Sequence, residues 1–428
     1  MPQLKGYIGE AIMEQQNIAD QSLRDQWDQL ILKPLSKLSS KAFLPTIMVV
    51  MDALDECNSE RDVRIILRLL ASTKSLKNIR LRVFVTSRPE IPVRCSFFRI
   101  PEAERQIFVL HDILPEVVDH DLGIFFEDSF NRIREERGFA KSWPGMQIIK
   151  RLVNISGGLF IWAATACRFI REGRKLATKR ISNLLVGQYS SAGPEKKLDD
   201  IYTTVLRGCI QADYDDEEKK EVCGTLREVL GSIVVLFSPL SIDSLSHLLP
   251  MSSSDIKDTL ADCHAILNIP TQTNRPIRPH HPTFRDFLLN KDRCYDAAFW
   301  VDDKAAHKSM ANNCIQLMMK TLRIDICDVR LPGTLAKKID PNWIKERIPP
   351  ELEYAGRYWV HHYRESGMEP YDGSQAHRFL EDFFLQWIEL MSLTGHVSEV
   401  AMTIRMYEAL IVVSMLSLRC LNKLQKGG

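Results

Sequence analysis

Three carboxylates lie close together directly after one apolar segment of the chain. The segment Thr46–Met51 leads straight into Asp52, and Asp55 and Glu56 follow one turn later. An apolar run of this length is typical of a buried parallel strand, and open α/β sheets bind ligands at the carboxyl ends of such strands. In a Walker B segment, one carboxylate helps to hold Mg²⁺ and another orients the attacking water. The pattern predicts a magnesium–nucleotide site, with a strand followed by an acidic helix cap as the alternative.

A βαβ arrangement is predicted to position these carboxylates. An amphipathic helix that carries Val63 and Leu67 follows them, and a second strand is predicted at Leu81–Thr86, leading into Arg88. A third short strand is predicted at Ile107–Leu110. Strands and helices that alternate at this spacing are typical of a parallel sheet.

Beyond Asp112 the sequence pattern is helical. Three short helices and a small hairpin, formed by Ala265–Ile269 and Ile277–His280, predict a winged helix. The predicted domains are therefore a strand-containing domain (1–112), a helical domain (113–190), a winged-helix domain (195–292) and a C-terminal helical domain (300–428). A linker is predicted at Ser190–Pro194, where small residues and proline cluster.

Composition limits the classes of partner. The 428 residues include 56 Lys and Arg against 55 Asp and Glu, so no net field draws the chain to nucleic acid or to an anionic membrane. The predicted wing has too few arginines for a groove-reading surface. The N-terminus has no signal core, and the late apolar run Ala409–Leu418 is about half as long as a bilayer span. We expect a cytoplasmic chain without nucleic-acid or membrane partners.

The cysteines and histidines give no metal pattern. The ten cysteines are scattered, without a C-x-x-C pair, and no histidine cluster has zinc spacing. Cys57, Cys167 and Cys263 lie within or beside apolar segments, which is typical of small buried side chains in a reducing compartment. His361 and His362 have no partners at metal spacing, so we assign them to the surface or to packing.

Five motifs in a fixed order resemble one protein family. The motifs are Asp52–Cys57 (DALDEC), Val83–Pro89 (VFVTSRP), Ser156–Ala163 (SGGLFIWA), Ser238–Ile242 (SPLSI) and His281–Leu288 (HPTFRDFL). With these motifs the chain resembles, from about Leu4 to Leu390, the NACHT-type STAND NTPases of filamentous and mushroom-forming fungi. The resemblance implies a remnant of the parallel sheet of a P-loop NTPase, followed by mostly α-helical domains that include a winged helix.

The resemblance also implies roles for single residues. Asp52 resembles the Walker B carboxylate that holds Mg²⁺ through water, and Asp55 and Glu56 resemble the acidic pair that polarises the hydrolytic water. Arg88 resembles the sensor arginine that reads the terminal phosphate. Two further residues belong to the winged-helix region: the proline that packs on the adenine corresponds to Pro239, and the histidine that contacts the β-phosphate of bound ADP corresponds to His281. The implied cofactors are ATP or ADP and Mg²⁺, and the implied partners are proteins.

Each of the last three residues has a simpler alternative role. Arg88 is also consistent with a solvated Ser-Arg-Pro turn. His281, beside His280, is also consistent with helix capping or core packing. Pro239 is also consistent with ending the preceding helix.

The sequence contains no phosphate-binding loop of the form G-x-x-x-x-G-K-[ST]. In the family this loop precedes the Walker B strand, so we expect an N-terminally truncated member. We expect neither tight ATP binding, nor turnover, nor oligomerisation from this chain alone. Two hypotheses follow: a fragment of an NTP-dependent signalling switch, or a catalytically inactive pseudo-NTPase that acts as a scaffold for protein interactions.

Overall fold

The computed structural model consists of two compact units, Met1–Asp112 and Ile113–Gly428. It describes residues 2–15, 18, 21–38, 46–57, 60–71, 79–88, 91–98, 100–186, 193–210, 214–330 and 334–425. Most of these residues are α-helical, and the sheets are small, so the prediction of an α-rich chain is confirmed. The predicted linker at Ser190–Pro194 lies mostly outside the described residues. The finer division of the second unit into three domains stays a prediction.

The first unit contains one parallel strand pair and several helices. Its elements are α1 (Pro2–Glu14), α2 (Leu23–Trp27), a π-helical turn (Asp28–Leu32), α3 (Lys33–Ser36), β1 (Thr46–Met51), α4 (Glu60–Ala71), β2 (Arg80–Val85) and α5 (Ile91–Phe97). β1 pairs in parallel with β2, with Thr46 opposite Arg80 and Met51 opposite Val85. The predicted βαβ unit is therefore confirmed, and both strands end at the same edge.

Among the described residues, side chains cover one face of the strand pair and leave the other exposed. Val63, Leu67 and Leu70 of α4 form a small core with Leu54 and Val93, against which Met51, Val83 and Val85 pack. On the opposite face Met48, Val50 and Phe84 are 62%, 63% and 52% exposed. The prediction of a buried strand was wrong for this face, because a continuous apolar run does not show how many sides of the strand are covered.

The predicted third strand is absent. Residues 105–109 have no regular structure, and Leu110–Asp112 forms a single 3₁₀ turn. Phe108 and Leu110 are 73% and 74% exposed. The prediction at Ile107–Leu110 was wrong because β propensity stabilises a strand only where a neighbouring strand pairs with it.

The described part of the second unit consists of helices, their connections and one short antiparallel strand pair. Its helices are α6 (Pro115–Arg137), α7 (Met146–Ser156), α8 (Phe160–Glu172), α9 (Ala177–Val186), α10 (Pro194–Gly208), α11 (Asp216–Val235), α12 (Ile242–Leu248), α13 (Ser253–Thr259), α14 (Thr283–Leu289), α15 (Asp303–Thr321), α16 (Pro341–Arg347), α17 (Pro350–Glu365), α18 (Gln375–Leu393) and α19 (Val397–Gln425). The strands β3 (Leu267–Asn268) and β4 (Arg278–Pro279) lie between α13 and α14. In the described part of the chain, no helix is long and apolar enough to cross a membrane.

Local sequence signals explain where several of these helices begin and end. Asp215 and Ser252 each form a capping box with a carboxylate three residues later, at the start of α11 and α13. The Ser241 hydroxyl accepts the Ser244 N–H at the start of α12. Gly138 ends α6 in the left-handed conformation, with φ 69°.

One continuous apolar core runs through the second unit. Its largest fully buried side chains include Trp162, Trp359 and Trp387. The indole N–H of Trp387 donates to the Gly356 carbonyl at 2.9 Å and so fastens α18 to α17. These tryptophans therefore belong to the packing of the helices and carry no ligand-binding face of their own.

Candidate functional site

The candidate residues belong to both units. Asp52, Asp55, Glu56 and Arg88 lie in the first unit, whereas Pro239 and His281 lie in the second.

Asp52 and Thr86 face each other where the two parallel strands end. The Thr86 hydroxyl donates to Oδ1 of Asp52, and the Ala53 N–H donates to the Thr86 hydroxyl at 2.8 Å. The Thr86 N–H continues the ladder by donating to the Met51 carbonyl at 3.0 Å. Thr86 was missed as a site residue from the sequence. The available signal was its place at the carboxyl end of the neighbouring parallel strand.

A tight turn carries the chain from Asp52 to Asp55. Ala53 adopts the left-handed conformation, with φ 51°, and the 3₁₀ turn Leu54–Glu56 follows. The Leu54 N–H donates to the Thr86 carbonyl at 3.0 Å, and the Leu54 side chain is buried at 4% exposure. The turn is thereby fixed to β2 through its backbone and to the core through its side chain. The structure describes the backbone of Glu56 but not its side chain.

Asp55 accepts two contacts from Arg88. The Arg88 N–H donates to Oδ1 of Asp55 at 3.0 Å, and Nε of Arg88 lies 3.5 Å from Oδ2. The Asp55 side chain is 10% exposed and the Arg88 side chain 45% exposed. A mostly buried carboxylate is thus paired with a cation that solvent can reach. The two residues that the sequence assigned to separate roles are direct neighbours.

The oxygen atoms at this edge suit a hard cation that also binds phosphate. Mg²⁺ is commonly held by one or two carboxylates together with water and substrate phosphates. Asp52 is exposed and supplies carboxylate oxygens beside the Thr86 hydroxyl. Among the described residues no group of three or more His, Cys, Asp or Glu side chains surrounds a metal position. The Asp52 carboxylate and the Thr86 hydroxyl are oxygen ligands of the kind that a Mg²⁺ ion shared with phosphate takes.

Pro239 lies in the exposed connection between α11 and α12. α11 ends at Val235, so Pro239 stands several residues beyond the helix and does not end it directly. The next residue, Leu240, accepts the Ile277 N–H at 2.9 Å. This bond fixes the connection beside the segment that leads into β4.

His281 lies at the junction of β4 and α14. Its Nδ1 accepts the Thr283 N–H at 3.3 Å and lies 2.8 Å from the Thr283 hydroxyl, which is 2.8 Å from the Tyr202 hydroxyl on α10. Because Nδ1 accepts a backbone N–H, the neutral ring carries its proton on Nε2. His281 therefore satisfies the first N–H of α14, as the capping alternative predicted. Arg285 holds the same helix on α11 by donating to the Val234 carbonyl at 2.8 Å.

His362 has a partner that its sequence neighbourhood does not reveal. Its side chain is fully buried, and its Nδ1 lies 2.8 Å from Nδ1 of His307 on α15. The assignment of His362 to packing is correct, but the ring is also part of a buried polar chain. The partner lies 55 positions away in the sequence, so no local spacing could have indicated it.

Two comparisons with known proteins bear on this arrangement. Residues 1–88 match the family model described as Nephrocystin 3, N-terminal. The chain is 22% identical over 401 residues to vegetative incompatibility protein HET-E-1 of Podospora anserina. That match covers 85% of this chain and 26% of the relative, so the chain spans about a quarter of the length of the curated relative it matches.

The parallel strand pair with carboxylates at its edge and the helical unit after it define the class as a helix-rich protein with a small α/β part. The two matches support a likeness to the NACHT-type family.

Proposed function

We propose that this chain is part of a nucleotide-dependent signalling switch of the STAND type, with ATP or ADP and Mg²⁺ as cofactors and proteins as partners. The observation that carries the proposal is the Asp55–Arg88 pair at the shared end of β1 and β2. The Arg88 guanidinium is paired with a carboxylate but is also exposed to solvent. A phosphate can therefore compete with Asp55 for it, because phosphate oxygens accept hydrogen bonds from the same N–H groups. Loss or gain of a terminal phosphate would then decide whether Arg88 binds Asp55.

The proposed roles follow the family resemblance. Asp52 would help to hold Mg²⁺ through water, with the Thr86 hydroxyl fixing its carboxylate. Asp55 and Glu56 would polarise the water that attacks a terminal phosphate. In a bound complex, Mg²⁺ supplies charge neutralisation for the phosphates.

The helical unit would contribute the residues that report the nucleotide state. Pro239 would pack on the adenine, and His281 would donate from Nε2 to the β-phosphate of ADP. The tautomer inferred from the Thr283 bond supports this role for His281, because a neutral ring that accepts at Nδ1 has its proton on Nε2. The order of α11 to α13, the β3–β4 hairpin and α14 supports the proposal of a winged helix for this region.

We do not expect measurable ATP hydrolysis from the 428 residues alone. They contain no G-x-x-x-x-G-K-[ST] sequence, whose backbone amides and lysine bind the β- and γ-phosphates. Magnesium-dependent hydrolysis by the purified chain that Glu56→Gln abolishes would contradict this expectation.

A catalytically inactive scaffold is the second candidate function. The observation in its favour is that two site residues already have structural partners, since Asp55 accepts from the Arg88 backbone and His281 caps α14. On this view the inherited site stabilises the fold, and the chain acts through protein contacts.

A thermal-shift titration with ADP and ATP, each with and without Mg²⁺, separates the two functions. A ligand that binds only the folded state raises the melting temperature by mass action. The switch proposal predicts a magnesium-dependent rise with nucleotide at about 5 mM that Arg88→Ala abolishes. Arg82→Ala, which removes an exposed arginine of β2, is the matched control and should keep the rise. A wild-type chain without any shift would favour the scaffold.

A further inference from the structure

Two cysteines from distant parts of the sequence meet in the second unit. Cys209 directly follows α10, and Cys263 lies in the turn after α13. Their Sγ atoms are 3.8 Å apart, although 54 positions separate them in the chain. A disulfide requires an Sγ–Sγ distance of about 2.05 Å. The two sulfur atoms therefore need to move closer by less than one S–S bond length.

The two thiols differ in accessibility. Cys263 is fully buried, whereas Cys209 is partly exposed. The Sγ of Cys209 also lies 3.4 Å from the Val205 carbonyl and 3.6 Å from the Asp262 carbonyl. Because Asp262 is the sequence neighbour of Cys263, this contact holds the two segments together before any covalent bond forms. A small oxidant can reach Cys209 first.

We propose that Cys209 and Cys263 form a redox-responsive dithiol, which a low-molecular-weight disulfide such as oxidised glutathione converts into an intrachain disulfide. The site is independent of the nucleotide residues. Nothing in it requires a bound cofactor.

The reaction proceeds by two thiol–disulfide exchanges. The Cys209 thiol loses its proton, its sulfur bonds to one sulfur of oxidised glutathione, and the first glutathione thiolate leaves. The Cys263 thiol then loses its proton and attacks Sγ of Cys209, and the second glutathione thiolate leaves. Both thiolates recover the two protons. Two thiols are oxidised and one glutathione disulfide is reduced to two glutathione molecules.

The surroundings favour this order of events. The hydrogen bond that the Cys263 S–H donates to Cys209, together with burial, raises the pKa of the Cys263 thiol, and the charges of Asp262 and Glu172 raise it further. A thiol with a raised pKa is a poor first nucleophile but can react with a disulfide that is held against it.

The disulfide would add a covalent bond between elements that the fold otherwise holds by noncovalent contacts. It would close a loop that contains α11, α12 and α13 and join the end of α10 to the turn before β3. α10 also carries Tyr202, whose hydroxyl contacts the threonine that orients His281. Oxidation would therefore restrict motion between α10 and the α11–α14 region and stabilise the folded chain by loop closure.

Peptide mapping of the full chain tests the proposal. The chain is incubated with oxidised glutathione, the remaining thiols are alkylated, and the product is digested with trypsin without reduction. Trypsin releases Cys209 in Gly208–Lys219 and Cys263 in Asp258–Arg285, and it separates both from Cys223. We expect a cross-linked pair of these two peptides and a melting temperature that rises by about 5 °C and returns with dithiothreitol.

Two variants complete the experiment. Cys209→Ser should abolish the cross-link and the rise in melting temperature, whereas Cys95→Ser, which removes an exposed thiol of α5, should leave both unchanged. Glutathione that stays on Cys209 in the wild-type chain, without a cross-link to Cys263, would overturn the proposal. So would a cross-link that forms equally well among all cysteines of the folded chain.

Discussion

The Nδ1 atoms of His307 and His362 lie 2.8 Å apart in the interior of the second unit. Nε2 of His362 lies 2.7 Å from the Tyr354 hydroxyl, which accepts the Phe237 N–H at 3.2 Å. The tyrosine proton is therefore directed to Nε2 of His362, so that His362 carries its own proton on Nδ1 and donates it to His307. Because His307 accepts at Nδ1, its own proton is on Nε2, which lies 3.5 Å from Oδ1 of Asp303. We call Tyr354, His362, His307 and Asp303 the histidine relay.

The relay predicts that stability falls in mild acid. Burial lowers the pKa of His362 to about 2, with His307 adding to the shift, and burial also lowers the pKa of His307. An unfolded histidine titrates near pH 6.5, so below this pH the unfolded chain binds protons that the folded chain does not bind. The free energy of unfolding should drop by about 2 kcal/mol for His362 alone between about pH 7 and pH 5. Urea unfolding across this range measures it.

Two variants control the pH experiment. His362→Gln should be less stable at neutral pH, because it disrupts the relay, but its stability should depend less on pH. His120→Gln removes an exposed histidine of α6 and should retain the wild-type dependence. Equal pH dependence in wild type and His362→Gln would contradict the neutral, buried state of the ring.

Tyr354→Phe tests the hydroxyl that joins the connection after α11 to the relay. The variant leaves the Phe237 N–H and Nε2 of His362 without their partner, so we expect a loss of about 1–3 kcal/mol in the free energy of unfolding. The amide of Phe237 should also exchange its hydrogen faster. Tyr358→Phe, which removes a hydroxyl from the next turn of α17, is the matched control. Similar losses in the two variants would argue against the bond.

Glu172→Gln should stabilise the protein at alkaline pH. Oε2 of Glu172 is buried and has no hydrogen-bond partner among the described residues, and burial raises the pKa of this carboxyl to about 7. The neutral acid is favoured in the folded state, so its stabilising contribution is present below pH 4.5 and is lost as the pH rises through 7. At about pH 8 the amide should raise the free energy of unfolding by up to about 3 kcal/mol. Glu127→Gln on the exposed face of α6 should show no such gain.

The Asp199–Arg293 pair should respond strongly to the loss of one partner. Nη2 of Arg293 lies 2.8 Å from Oδ1 of Asp199, and the side chains are 17% and 6% exposed. Burial outweighs the guanidinium and raises the pKa of Asp199, which shows that an unpaired carboxylate is disfavoured here. Arg293→Met should cost about 3–5 kcal/mol of unfolding free energy, and adding Asp199→Asn should recover much of it. Additive losses in this double-mutant cycle would refute the coupling.

Thr86 should be essential for the geometry of the carboxylate edge. Thr86→Val removes the hydroxyl that contacts Asp52 and the Ala53 N–H, so the first unit should lose about 1–2 kcal/mol of stability. Thr86→Ser keeps the hydroxyl and should lose much less. Chemical denaturation followed through a probe in the first unit distinguishes the two variants. Equal losses would indicate that the methyl group matters and the hydroxyl does not.

The local sequence pattern predicted the secondary-structure elements better than it predicted which residues pack on them. The apolar run before Asp52 predicted β1 because strand length and turn residues are local properties, and the cap at Ser241 was predictable for the same reason. The exposure of Met48 and Val50 depends on what covers the sheet, which a strand's own sequence does not contain. The segment Ile107–Leu110 has strand composition but no pairing partner in the described chain.

Site residues were predictable as types and not as pairs. Asp55 and Arg88 were chosen from two separate motifs, but their contact depends on the register in which Met51 lies opposite Val85. The partners Cys209 and Cys263 are likewise brought together by tertiary packing alone. The spacing of residues in the sequence cannot predict such pairs, because the packing of the intervening helices determines which residues come into contact.

The separate cores of the two units have a consequence for calorimetry and fluorescence. The first unit has its own small clusters around Leu67 and Leu35, whereas the second has one continuous core. We therefore expect two melting transitions, so that a single midpoint describes neither unit. Trp27 is the one tryptophan of the first unit, and the other six belong to the second: Trp143, Trp162, Trp300, Trp343, Trp359 and Trp387. Intrinsic tryptophan fluorescence will therefore report mainly on the helical unit, and melting of the carboxylate edge will change this signal only slightly.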